Sequence, residues 1–532
     1  MFIKILKYWN TLRYLKPSQL YWQLFYRIIK PSVSQKKIDT TLREKFSPWV
    51  PAIKHDETFF KNDTATFLNQ SHFVKTKTIW NDDSIEKLWL YHLHYFDALQ
   101  ASSTKQQTLC HDLLNRWITE NPLLQGNGWE PYPTSLRIVN MVKYTLEGHT
   151  LTNTILRSLY LQARCLRKRL EYHLLGNHLL ANAKALIFAG LFFNTAESEH
   201  WLQKGLRILR QQISIQVLTD GGHFELSPMY HAIILEDFLD IMNVLQTYKL
   251  PIPSTLTHAI EQMRNWLNIM THPDGRIAFF NDATFDIAPT SSQLDQYAQR
   301  LNLPALPLKT TEGIHLQDSG YIRLSLDQCY LILDVGKIGP DYLPGHAHAD
   351  TLSFELSLHG KRTFVNSGIS CYGTGPERNI QRGTAAHNTV VVQGKNSSEV
   401  WKGFRVARRA KPFGLTIEQL DCGWKIQCSH TGYWRLRPRI THSRTWTITE
   451  HQLLIQDTVT PKTSACSYLH LHPDFNCKNT GSRYQCGKAS IKFNSQSTKI
   501  TSNSYYPAFG KTQKNQCLET PFAHTLETLI EW

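Results

Sequence analysis

Near residue 310 the apolar side chains change their spacing, from about one turn of helix to every second residue, and this change constrains the fold more than any other feature. From Trp89 the helical period predicts helices over 106–119, 134–147, 152–172, 178–195, 198–217, 229–247 and 256–271, divided by short Gly, Asn or Pro breaks. Residues 183–193 are apolar nearly all round, which predicts a deeply buried helix. After the change, 321–326, 329–334, 351–358, 389–392, 439–448 and 453–459 alternate as strands with no helix between them. Helices followed by strands predict an α+β multidomain chain: paired helices in an α/α toroid or solenoid, then an antiparallel β-sandwich domain. The domains are expected at 1–85 (a basic, aromatic helix and an extended segment), 86–300 and 301–532, with the boundary falling between about 285 and 312.

Charge narrows the partners. The 532 residues carry a net +15, which favours an acidic partner. No basic run, zinc finger or helix-turn-helix spacing marks a nucleic-acid binder, so an acidic polysaccharide or oligosaccharide fits better. Ten cysteines scattered without a C-x-x-C pair read as reduced structural thiols. Residues 1–31 are basic and aromatic, and Lys or Arg interrupts every apolar run, so no signal-peptide core is seen. That stretch reads either as an amphipathic helix packed on the body or as a peripheral membrane contact, and the chain is expected in the cytoplasm or at the inner membrane rather than in the periplasm.

Four stretches carry chemistry. Extending the alternation of 351–358 backwards puts His346, His348 and Asp350 on the apolar face of a strand, where they need partners. In Asn127–Arg137, Trp129 and Tyr132 are either sugar platforms or loop anchors, and Arg137 either forks a carboxylate or caps carbonyls. Gly176-Asn177-His178 opens the most buried helix, with Asn177 read either as the N-cap or as a grip on an anion. In 220–231, Ser227 is the expected N-cap and Pro228 the first helical residue, which places Tyr230 at a positive helix end that favours its phenolate. His223, Glu225 and Arg382 are further candidates for substrate binding. Two or three of His348, Asp350, Asn366 and His387 make either a closed metal site, zinc being usual, or a buried histidine network.

Together, Asn177-His178, the stretch at 220–231, Gly-His-Ala-His-Ala-Asp at 345–350 and Ala-Ala-His-Asn-Thr at 385–389 resemble the heparinase II/III-like polysaccharide lyases, in order and spacing, over roughly residues 85–460. The resemblance implies an incomplete α/α toroid joined to an antiparallel β-sandwich and β-elimination on a uronic-acid glycan. Asn177, with His178, would neutralise the uronate carboxylate, and Tyr230 and His346 would share the acid and base roles. His348 and His387 match a structural zinc site whose third ligand in related enzymes is an Asp; here the matching place is Asn366. No organic cofactor is implied. Lacking an export signal, the chain is expected to make or trim a cell's own acidic surface polysaccharide. A uronyl C5-epimerase shares the first proton abstraction. A non-catalytic glycan-binding protein and a hydrolase with zinc on His346, His348 and Asp350 are the other readings.

Overall fold

The computed structural model describes residues 2–60, 63–306, 312–495 and 497–532. Two helices open the chain, α1 (Phe2–Leu12) and α2 (Pro17–Ile28). The expected single helix is broken because Pro17 supplies no N–H to continue α1 but suits the first turn of α2. A small antiparallel sheet (Phe59–Phe60, Thr64–Phe67, Gln70–Phe73) follows.

The helical body comprises α3 (Lys87–Tyr95), α4 (Thr104–Glu120), α5 (Pro131–Leu146), α6 (Asn153–Lys168), α7 (Gly176–Phe192), α8 (Ala196–Gln216), α9 (Pro228–Thr247), α10 (Ser254–Ile269) and α11 (Ser291–Arg300). Every residue of α7 except His178 is buried, in keeping with the apolar run that fills its second half. The inner helices are pinned by charge: Asp240 of α9 accepts from Lys143 of α5 at 2.8 Å and from Lys184 of α7 at 2.6 Å. Those ammonium groups hold the Asp240 carboxyl down at about 2 against the opposing effect of burial.

From Gly313 the chain is mostly β. A five-stranded antiparallel sheet (313–316, 321–326, 329–334, 354–358, 361–364, in that order) faces an eight-stranded one, and a four-stranded sheet completes the domain. Ile322, Leu324, Leu331, Phe354 and Leu356 pack against Ile426, Trp446, Ile455 and Ile530 to form the sandwich core. The other face of the five-stranded sheet offers Tyr321 and Ile332 to Trp266, Ile269 and Phe280, so the toroid covers the sheet and buries it on both sides. Toroid and sandwich therefore meet at the end of α10, close to the loops that carry chemistry.

Two further expectations fail. The strand after Asp350 begins only at Phe354, because Leu352 adopts a left-handed φ of 63° and Ser353 N turns back to Asp350 O at 2.8 Å. His346, His348 and Asp350 therefore sit on a loop. The cysteines are not all reduced: Cys477 and Cys486, directly paired across neighbouring strands, form a disulfide, and the other eight are free.

Candidate active site

Three of the segments that build the site carry a non-glycine residue of left-handed φ. Leu175, Leu226 and Asn281 all have left-handed φ, at 67°, 59° and 57°, and lie respectively two residues before Asn177, four before Tyr230 and one before Asp282. Such backbone costs about 1–3 kcal/mol per residue and persists only where the surroundings enforce it. Here they do: Leu226 O accepts from both Asn281 Nδ2 and Tyr321 Oη at 2.8 Å.

Ser227 caps α9 as expected, its hydroxyl accepting from Tyr230 N at 3.2 Å. That fixes the Tyr230 ring over the His346 imidazole, with centroids 3.7 Å apart and planes 27° from parallel. The phenol oxygens of Tyr230 and Tyr372 lie 2.8 Å apart. Burial, Tyr372 and the Asp282 charge push the Tyr230 pKa well up, so the expected phenolate is replaced by a neutral phenol; these terms outweigh the helix end.

Asp282 is the hub. Its two oxygens accept a forked pair of bonds from Arg378, one of them 2.6 Å long from Nη2 to Oδ2. The same oxygens accept from His346 Nδ1 at 2.9 Å and from His348 Nε2 at 2.8 Å. Although Asp282 is wholly buried, the Arg378 charge and the two imidazoles hold its carboxyl well below the usual range, so it is ionised and must accept. The proton on His346 is thereby fixed at Nδ1, and Nε2 faces Glu225 Oε2 at 3.2 Å. The other oxygen of Glu225, Oε1, accepts from Asn177 N at 3.2 Å, and burial raises the Glu225 pKa.

Asn177 is not the N-cap of α7; Leu175 holds that position and Asn177 lies in the first turn. Its side-chain amide makes no hydrogen bond among the described residues. His178 bonds Glu171 Oε1 at 3.1 Å and lies against the Tyr132 ring, centroids 4.5 Å apart. Burial opposes its charge, but Glu171, Glu225 and Glu130 outweigh burial and raise its pKa.

Several expected binding residues are committed to internal contacts instead. Arg137, fully buried, stacks on Trp117 and donates to Gln162 Oε1, His94 O and Gly128 O, so no donor pair remains for a substrate carboxylate. Trp129 packs on Trp117 and donates to Asn121 O; it is a loop anchor. His223 is enclosed, bonded to Gln216 Oε1 at 3.0 Å. Arg382 is also enclosed and holds Ala347 O with two donors, at 3.1 and 2.8 Å, which braces the loop between His346 and His348.

His348 Nδ1 and His387 Nε2 face each other at 3.3 Å, and Asp350 offers a carboxylate oxygen within 4.8 Å of the two imidazoles. Because His348 donates from Nε2 to the ionised Asp282, its Nδ1 presents a lone pair, as a metal-binding imidazole requires. Burial holds His348 down at about 4 and His387 well down as well, so both are neutral. The donor set fits a metal ion. The third position is Asp350 rather than Asn366, whose Oδ1 accepts from Asn388 N at 3.3 Å and whose Nδ2 is buried without an acceptor.

Asp282, Arg378 and Tyr372 escaped the sequence reading. Asn281-Asp282 after Phe279-Phe280 was the available signal, a carboxylate directly behind a buried apolar run.

The helical body and sandwich are those of the toroid-and-sandwich polysaccharide lyases. Heparinase III shares the fold with a TM-score of 0.64 at 16% identity, the match covering 96% of this chain and 88% of that one. Residues 100–303 match the Heparinase II/III N-terminus family and residues 308–532 the Heparinase II/III-like, C-terminal family. The chain belongs to the heparinase II/III-like family. A heparin-sulfate lyase of Bacteroides stercoris is 30% identical over 248 residues, 42% of this chain and 37% of that one. One from Pedobacter heparinus is 28% identical over 318 residues, 53% and 47% of the two chains. The matches thus span less than half the length of these curated relatives.

Proposed function

We propose that the protein is a lyase that cleaves a uronic-acid-containing acidic polysaccharide by β-elimination. The observation that carries this reading is the stacked Tyr230–His346 pair, a neutral phenol and an imidazole oriented through Nδ1, beside the free amide of Asn177. The proton at C5 of a uronate is barely acidic while its carboxylate keeps its charge. Asn177 and His178, whose charge the nearby Glu171 favours, would bind that carboxylate and stabilise the charge that spreads onto it. His346 Nε2 would take the C5 proton. The C5–H electron pair becomes the C4–C5 double bond, the C4–O4 bond breaks, and its pair leaves with O4, which takes a proton from Tyr230.

His348, His387 and Asp350 would hold one structural zinc ion. When bound, it supplies a fixed cross-link between the loop at 345–350 and the residues around 387, and no step of the reaction passes through it.

The test is ultraviolet absorbance during incubation with a panel of acidic polysaccharides. A rise from the unsaturated uronate is expected with at least one glycan. A flat trace on all of them, with deuterium entering uncleaved glycan from solvent, would replace elimination by C5-epimerisation.

A further inference from the structure

The first two helices present apolar side chains on both faces. Inward, they bridge the two large domains: Trp401 Nε1 donates to Thr11 Oγ1 at 3.2 Å on the sandwich side. On the toroid side Tyr26 Oη donates to Leu170 O at 2.7 Å and Trp22 stacks on Tyr172. That packing accounts for one face. On the other, Ile5, Trp9 and Leu12 follow the i, i+4, i+7 spacing of one stripe on α1, and Leu20, Leu24 and Ile28 follow i, i+4, i+8 on α2. These six side chains are 48–71% exposed, which is the densest grouping of exposed large hydrophobic residues among those described.

The charge around the stripe identifies its partner. Residues 1–38 hold eight Lys or Arg and no Asp or Glu. Lys4, Arg13, Arg27 and Lys30 are exposed, and none has a carboxylate partner among the described residues. A second copy would bring like charges together. Basic residues flanking an aromatic and aliphatic helical stripe match the boundary between lipid headgroups and acyl chains. No helix of the described residues is long and apolar enough to cross a bilayer, so the contact lies in the plane of the surface.

We propose that α1 and α2 dock this outer face on an anionic lipid bilayer. The apolar stripe enters the headgroup boundary and the flanking cations meet lipid phosphates. Because α2 also touches Tyr342 and Leu170, beside the segments that carry Asn177 and His178, docking holds the site next to the membrane.

The experiment is flotation of the full chain with phosphatidylcholine vesicles, with and without phosphatidylglycerol, at low and high salt. Wild type is expected to float with the anionic vesicles, and less at high salt because screening weakens the contact. Trp9→Glu combined with Leu24→Glu removes two anchors from solvent-facing positions, and the apparent vesicle affinity is expected to fall about a hundredfold or more with Tm unchanged. A second variant, Lys4→Glu with Arg27→Glu, is expected to lose the preference for anionic lipid. Wild type that stays with neither vesicle, or variants that float like wild type, would overturn the proposal. A wild-type dimer that Trp9→Glu/Leu24→Glu splits into monomers would also overturn it and assign the face to a second copy.

Discussion

Replacing Asp282 by Asn tests the site at its hub. The change keeps the volume and one acceptor oxygen but removes the charge that Arg378, His346 and His348 all meet. Arg378 is fully buried, so its guanidinium is left without a counter-ion. Breaking such a pair costs about 3–5 kcal/mol, and the two lost charge-assisted bonds, at about 1.5–3 kcal/mol each, give the same size. For a chain of 532 residues the unfolding entropy is about 1.1 kcal/mol per degree, so Tm should fall by about 3–5 °C. Turnover should fall much further. Without a carboxylate at Nδ1 the His346 proton is free to move to Nε2, the nitrogen that must stay open to act as base, and kcat should drop about a thousandfold or more with KM little changed. Both are measured on one preparation, Tm by scanning calorimetry and turnover by ultraviolet absorbance on the responding glycan well below Tm. If kcat stays within about tenfold while Tm falls, Asp282 only supports the fold and the tautomer argument is wrong.

Further outcomes follow from other parts of the molecule. Tyr230→Phe should lower kcat by about a hundredfold to ten-thousandfold while glycan affinity, measured by calorimetry, persists; retained turnover would remove Tyr230 from the reaction. Elemental analysis should find zinc in the purified protein, and a chelator or His387→Ala should remove it and lower Tm; protein purified metal-free at full stability would refute the metal site. His94 and His231 are each held neutral at about 3, burial being the main cause. Their folded-state pKa values lie below the unfolded value near ~6.5, so their stabilising effect is complete above that pH and is lost as pH falls towards 3. At pH 5 each should cost about 2 kcal/mol, and a Tm that does not fall between pH 7 and pH 5 would contradict this.

The helical body was legible because its periodicity runs over long segments, and a cap with a breaker marked the start of α9 at Ser227-Pro228. Tyr230, His346, Glu225 and Asn177 could be singled out because short motifs carry them, and the fold places them together. The loop at 345–353 was misread because alternation cannot reveal the left-handed φ of Leu352. Arg137 and Trp129 looked like binding groups because sequence shows a side chain's donors and not which carbonyls already occupy them. Asp282 and Arg378 lie 96 residues apart, and only the folded chain shows that they pair.

The two oxygens of Asp282 tie His346, proposed as the base, and His348, proposed as a metal ligand, to a single carboxylate. Asp282 therefore cannot be discarded cheaply, since it also orients His348 and neutralises Arg378. Tyr230, half-buried at the start of its helix, has a phenol oxygen whose hydrogen-bond partner among the described residues is that of Tyr372. A relative that has given up turnover and kept its stability should thus have changed its tyrosine while retaining its aspartate, arginine and histidines. The phenol at this one helix start is therefore the group whose loss should end turnover at the least cost to the fold.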